Sequence, residues 1–164
     1  RPSMNKIKAE PIRYLLGRVR VTLLRLERMK HMKCYVKDYP RPQFVRKNWE
    51  NLNGIWDFSF DDSNVGECEK WYCDFQAERT ICVPFSYETP LSGIGDESCH
   101  ENVWYHRTIC VDAEKLKGNR YILHFEGSDY VTKVWVNGQF AGSHKGGYTR
   151  FSFDITENIS KNNV

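Results

Sequence analysis

The chain has 164 residues, 40% hydrophobic and 27% charged, with nine Phe, nine Tyr and five Trp. That length is one domain's worth, and the composition excludes a disordered polymer or a bundle of membrane spans. The net charge of +3 hides a division: residues 1–33 carry ten Lys/Arg against Glu10 and Glu27, a net of +8, while residues 34–164 sum to −5. The basic character belongs to a tail, so nucleic acid is not an expected partner of the body.

In chain order the tail comes first. Leu15, Leu16, Val19, Leu23 and Leu26 fall on one helical stripe between residues 12 and 32. Three readings stand: a basic amphipathic helix for a membrane surface or an anionic partner, a poorly ordered extension, or upstream sequence read in frame. The last rests on a first residue of Arg1 and on Met29 and Met32 lying just ahead of the strand-like region. Arg18, Arg20 and Arg25 interrupt residues 14–26, which therefore match neither a secretion signal nor a membrane span. A cytoplasmic protein without a membrane partner is the expectation.

From Tyr39 the character changes. Pro40 and Pro42 impose an extended entry. Strands are predicted at residues 54–60 (GIWDFSF), 80–83 (TICV), 103–111 (VWYHRTICV), 120–126 (RYILHFE), 132–136 (TKVWV), 139–142 and 151–155 (FSFDI). Several alternate with period two, placing Trp56, Phe58 and Phe60 on one face and Phe151, Phe153 and Ile155 on another. Asn137-Gly138 is a hairpin signal, because both central positions of a type I′ turn need positive φ. Gly146-Gly147 is expected to let Tyr148 dock before the last strand. Seven short strands and no helix after Lys33 indicate an antiparallel sandwich.

The chemistry-bearing residues are sparse. Six cysteines would allow three disulfides in a secreted chain, but free thiols are expected: no pair has C-x-x-C spacing, and Cys82 and Cys110 sit in apolar runs as small core residues. The five histidines show no metal-ligand spacing, so no metal or other cofactor is expected. Phosphate-binding glycine loops and serine-nucleophile elbows are absent from the sequence.

The segments YPRPQFVRKNWENLNGIWDFSFDD (39–62), VPFSYETPLSGIG (83–95), ENVWYHRT (101–108) and VTKVWVNGQFAGSHKGGYTRFSFDIT (131–156) occur in one order. Together they resemble the N-terminal sugar-binding domain of glycoside hydrolase family 2, the β-galactosidases, β-glucuronidases and β-mannosidases. The resemblance divides the chain into a basic extension, residues 1–38, and a partial sugar-binding domain, residues 39–164. It implies an all-β, galactose-binding-domain-like jelly-roll sandwich, here C-terminally truncated, and a basic N-terminal extension outside it.

Retaining glycosidases need two carboxyl groups about 5–5.5 Å apart. The sequence singles out no such pair, and the resemblance places both catalytic glutamates in a downstream barrel. No catalytic residue is therefore assigned, and the chain alone is expected to be inactive. The resemblance also implies that an Asn or Asp from this domain can bind a sugar hydroxyl. Asp96 and Asn102, in the polar loop 92–102 (SGIGDESCHEN), are the candidates. The implied partners are a β-galactoside or β-glucuronide, the missing downstream domains and a second copy in a homo-oligomer. The alternatives are a stand-alone carbohydrate-binding module and an adaptor that uses its basic tail.

Overall fold

The alternating pattern becomes seven strands in a computed structural model that describes residues 48–109, 111 and 118–160. The expected tail helix, the Pro40/Pro42 entry, Cys34 and Cys110 lie outside the described residues. Strand β1 (Gly54–Phe60) is the centre of a three-stranded antiparallel sheet, flanked by β2 (Arg79–Val83) and β3 (Val103–His106). Phe58 lies opposite Arg79 on one side and Tyr105 on the other. Its ring is fully buried, 5.0 Å from Phe60 and 5.1 Å from Tyr105, both edge to face, a geometry aromatic quadrupoles favour.

Strand β4 (Ile122–Phe125) pairs with β7 (Phe151–Asp154), and Phe125 stacks on its partner Phe151 at 4.7 Å. Strands β5 (Val131–Val136) and β6 (Gln139–Lys145) form the predicted hairpin. Asn137 and Gly138 have φ of 51° and 74°, as the turn requires. The register slips between Val134 and Trp135, which face Gly142 and Phe140, so Ala141 is the extra residue of a bulge. Gly142, at φ 155°, leaves the space that the Phe153 ring occupies. Trp104 on β3 stacks on Trp135 of β5 at 5.3 Å, and His144 on β6 stacks on Phe151 at 4.1 Å. These ring contacts join the sheets into an all-β sandwich. Phe58, Ile81, Cys82, Ile155 and Ile159 are its buried apolar residues.

Five expectations change. Strand β3 ends at His106 instead of running to residue 111. Arg107 turns its guanidinium to donate to the carbonyls of Leu52 and Asn53, over the Trp56 ring. Strand β6 runs on to Lys145, because the bulge and Gly142 let pairing continue. A helix does follow β7: α1 (Thr156–Ser160), in which the Ile155 carbonyl accepts from the N–H groups of Asn158 and Ile159. Ile159 turns inward, an isolated apolar position that period-two reading passes over. Tyr148 does not dock and is fully exposed. Finally, Cys82 is disulfide-bonded, while Cys68, Cys73 and Cys99 are exposed free thiols. Spacing along the chain carries no information on which cysteines the fold brings together.

Candidate functional site

The loop carrying Asp96 and Asn102 is built from its own turn residues. Thr89 caps the short 3₁₀ helix Pro90–Ser92, accepting from the Leu91 N–H, and Gly93 closes it in the left-handed region at φ 86°. Ser92, fully buried, donates its hydroxyl to the Thr89 carbonyl at 2.8 Å and accepts from the Ile94 N–H at 3.0 Å. The Asp96 N–H then donates to the Tyr87 carbonyl at 3.1 Å, which fixes where the loop leaves the surface.

Two adjacent acids at the end of β1 receive the rest of the loop. Asp61, 3% exposed, accepts from the N–H groups of Val65 and Gly66 at 2.8 and 2.9 Å and from the Trp104 indole at 3.0 Å. Burial pushes its pKa up, but the hydrogen bonds from Gly66, Trp104, Val65 and Asn64 outweigh that and hold it below the ordinary carboxylate value. Its own N–H donates to the Asn102 carbonyl at 2.9 Å, anchoring the loop's far end. The Asn102 side-chain amide makes no hydrogen bond among the described residues.

Asp62 holds the middle of the loop. His100 places Nδ1 at 2.8 and 3.0 Å from the two Asp62 carboxylate oxygens and Nε2 at 3.0 Å from the Ser98 hydroxyl. The ring lies flat on Phe60, centroids 3.6 Å apart, and only 11% of the side chain is exposed. Asp96 accepts from the N–H of Ser98 at 3.0 Å and from its hydroxyl, and its second oxygen lies 3.6 Å from His100 Nε2. The Ser98 bonds, followed by the His100 charge, hold the Asp96 pKa below its usual value. Asp96 and Asn102 thus share one loop tied to Asp61 and Asp62, but no hydrogen bond joins them to each other. The Ser98–His100–Asp62 spacing is that of a nucleophile, base and orienting acid. Ser98 is nonetheless committed to Asp96, and two grooves among the described residues are lined by other residues.

The larger groove, about 330 Å³, is lined by Glu67, Tyr72, Lys133, Trp135 and Phe140. Tyr72 stacks on Trp135 at 5.3 Å, Phe140 is 57% exposed, and Lys133 donates to Glu67 at the rim. The smaller groove, about 120 Å³, lies between Ile109, Val111, Val136, Asn137 and Ile159. Trp104, a candidate for sugar stacking by type, is occupied by Asp61 and Trp135. Among the described residues, no three metal-ligating side chains converge and no helix is long and apolar enough to cross a membrane.

Histidine spacing along the chain gives His100 no role. The signal available was Asp96-Glu97-Ser98-Cys99-His100, three polar groups on alternate residues, which an extended loop turns to one side. Asp62, 38 residues earlier, could not be paired with it by any local pattern.

Strands, stacked sheets and an acid-anchored polar loop define an all-β sandwich domain. The model of the family described as glycosyl hydrolases family 2, sugar binding domain, matches residues 49–163, and the chain belongs to that family. A β-galactosidase of Thermoanaerobacter pseudethanolicus is 39% identical over 115 residues, 70% of this chain and 14% of that protein. A β-glucuronidase of Paenibacillus borealis is 34% identical over 119 residues, 72% of this chain and 20% of its own length. Among solved structures, a β-glucuronidase from an uncultured Clostridium species superposes with a TM-score of 0.54 at 33% identity, covering 65% of this chain and 19% of that one. A Lactobacillus rhamnosus β-glucuronidase gives 0.56 at 29% identity, with 65% and 18% covered. The chain spans about a sixth of the length of these relatives.

Proposed function

We propose that the chain is the N-terminal sugar-binding domain of a retaining β-galactosidase, in which it packs against a catalytic barrel and shapes the sugar pocket. The family match over residues 49–163 carries this reading, and the 39% identity to a β-galactosidase favours galactoside over glucuronide. In this reading both catalytic carboxylates come from outside residues 1–164, and the Asp96 carboxylate and the Asn102 amide contribute hydrogen bonds to a sugar hydroxyl. The test joins the chain to the downstream sequence of a family 2 β-galactosidase and assays chromogenic β-galactoside and β-glucuronide. Preferential galactoside turnover supports it, and glucuronide preference or no turnover overturns it. Asn102→Ala in that protein is expected to raise KM at least fivefold.

A second reading, a carbohydrate-binding module acting without hydrolysis, is favoured by the exposed Phe140 beside Tyr72 and the Lys133–Glu67 pair. Saturable glycan binding by the 164-residue chain, lost in Phe140→Ala, would favour it. A homo-oligomer belongs to the proposal, and sedimentation of the full protein decides it. So does a cytoplasmic location: the exposed thiols of Cys68, Cys73 and Cys99 support it and the Cys82 disulfide opposes it. Alkylation of protein from its native cells, before and after reduction, separates the two.

A further inference from the structure

Three polar groups of the loop 92–102, Asp96, Ser98 and His100, form a chain with Asp62 whose protons can be counted. Asp62 is a carboxylate, an acceptor only, so His100 Nδ1, 2.8 Å away, must carry a hydrogen. Asp96 Oδ1 is likewise an acceptor only, and the close Ser98 hydroxyl donates to it. That commitment leaves a lone pair of the Ser98 oxygen facing His100 Nε2 at 3.0 Å. With the Ser98 hydroxyl given to Asp96, Nε2 meets that lone pair favourably when it too carries a hydrogen, and the network then runs through the imidazolium from Asp62 through His100 and Ser98 to Asp96. Turning the hydroxyl to Nε2 instead closes it with the neutral ring and leaves Asp96 only the Ser98 N–H. The two carboxylates flank the cation, with Asp96 Oδ2 3.6 Å from Nε2.

We propose that His100 is a proton-operated latch, which as a cation ties the loop 92–102 to Asp62 at the end of β1 and sets the direction of the Asp96 carboxylate. In the neutral ring one nitrogen loses its hydrogen. Either Ser98 must then rotate its hydroxyl away from Asp96, or the bond to Asp62 is given up. Both outcomes loosen the segment between Asp96 and His100 while leaving its ends held, at Asp96 N–H on Tyr87 and at the Asn102 carbonyl on Asp61.

The surroundings keep the switch with the histidine. Phe60 covers one ring face and Tyr87 stands edge-on at 5.5 Å, with its hydroxyl toward the His100 backbone N–H. Of the other charged or titratable groups, Glu88 adjoins Tyr87, and Arg79 reaches over the Phe60 ring from β2 at 5.0 Å. Glu97, Cys99 and Glu101 are neighbours along the loop itself and exposed. None of them bonds to either imidazole nitrogen.

The bearing of the latch on sugar binding rests on the role of Asp96 proposed above, whereas the latch itself does not. It is therefore tested without sugar, so that its failure and the failure of that role are separate results. In the ¹⁵N-labelled 164-residue chain, the ring nitrogens of His100 report its protonation, and exchange of the Ser98 amide, corrected for intrinsic rate, reports the loop. Ser98 protection is expected to fall about tenfold as the ring loses its proton, the scale of a lost charge-assisted bond. Asp62→Asn, which keeps the ring stacked on Phe60, is expected to remove that dependence, and His100→Gln to leave the amide weakly protected at every pH. Protection that ignores the ring's protonation, or that persists in both variants, overturns the proposal. Should His100→Gln fail to fold, Asp62→Asn and the wild-type titration decide it alone.

Discussion

Asp61 is the residue on which the candidate site depends most. Its carboxylate satisfies two backbone N–H groups and an indole inside the protein, and its backbone holds the end of the loop. Removing it leaves buried donors without acceptors, a cost of about 2–3 kcal/mol. Asp61→Ala is expected to lower the urea midpoint accordingly, with the m-value unchanged. Because the folded pKa of Asp61 lies below its ordinary value, its stabilisation is complete above the unfolded pKa and is lost as pH falls through the folded one. The wild-type chain should therefore lose stability between about pH 4 and the lower folded value. Asp61→Asn should flatten that limb of the stability curve, measured by denaturation at successive pH. Asp154 acts with the same sign: bonds from Thr156 and then Arg120 hold it at about 2, so the start of α1 should also loosen in acid. At Tyr105, desolvation and then the charges of Glu88 and Tyr87 push the phenol up to about 12, so it stays neutral in ordinary buffers.

Among the elements, the β5–β6 hairpin is the most constrained. Its turn needs two positive φ values and its strand pairing needs the bulge at Ala141. Gly138→Val is strained at φ 74° and brings a side chain against the Cys73 sulfur, so a loss of at least about 1 kcal/mol is expected. Gly142→Ala would place its methyl group within the Phe153 ring and is expected to cost more, about 1–3 kcal/mol, through overpacking between β6 and β7. The two are distinguished by near-ultraviolet circular dichroism, which Gly142→Ala should alter through the Phe125–Phe151–Phe153 cluster. Periodicity sufficed for β1, whose bounds Gly54–Phe60 match expectation, because β2 pairs with Gly54–Phe58 and β3 with Asp57–Phe60, together spanning its length. It failed at the end of β3, where the long-range bonds of Arg107 to Leu52 and Asn53 redirect the chain. It failed again at α1, held by Tyr121 donating to Thr156 Oγ1 and by Asn137 donating to the Asn158 carbonyl.

At the scale of the molecule, this domain forms a sandwich surface that carries the candidate site. The acids of the site, Asp61, Asp62 and Asp96, are occupied by backbone N–H groups, His100 and Ser98. The 164-residue chain is accordingly expected to hydrolyse neither chromogenic β-galactoside nor β-glucuronide above the uncatalysed rate. Clear turnover would mean that the catalytic acids lie within it. The tail adaptor makes a different prediction, binding to an anionic partner that weakens with salt and vanishes on deleting residues 1–33.

Fold class, the Asn137-Gly138 hairpin and family membership were legible in the sequence, because strand alternation, turn chemistry and ordered motifs are local properties that survive without coordinates. The loop 92–102 was legible as a polar segment with Asp96 and Asn102 in it. Its architecture was not. The pairing of Asp62 with His100, the burial of Asp61 under Trp104 and the exposure of Tyr148 all join residues far apart in the chain, or depend on what covers a side chain. Such relations arise when strands fix their registers and sheets stack. Only the tertiary structure determines which donor meets which acceptor, and so turns a polar loop into an acid-anchored site with a histidine at its centre.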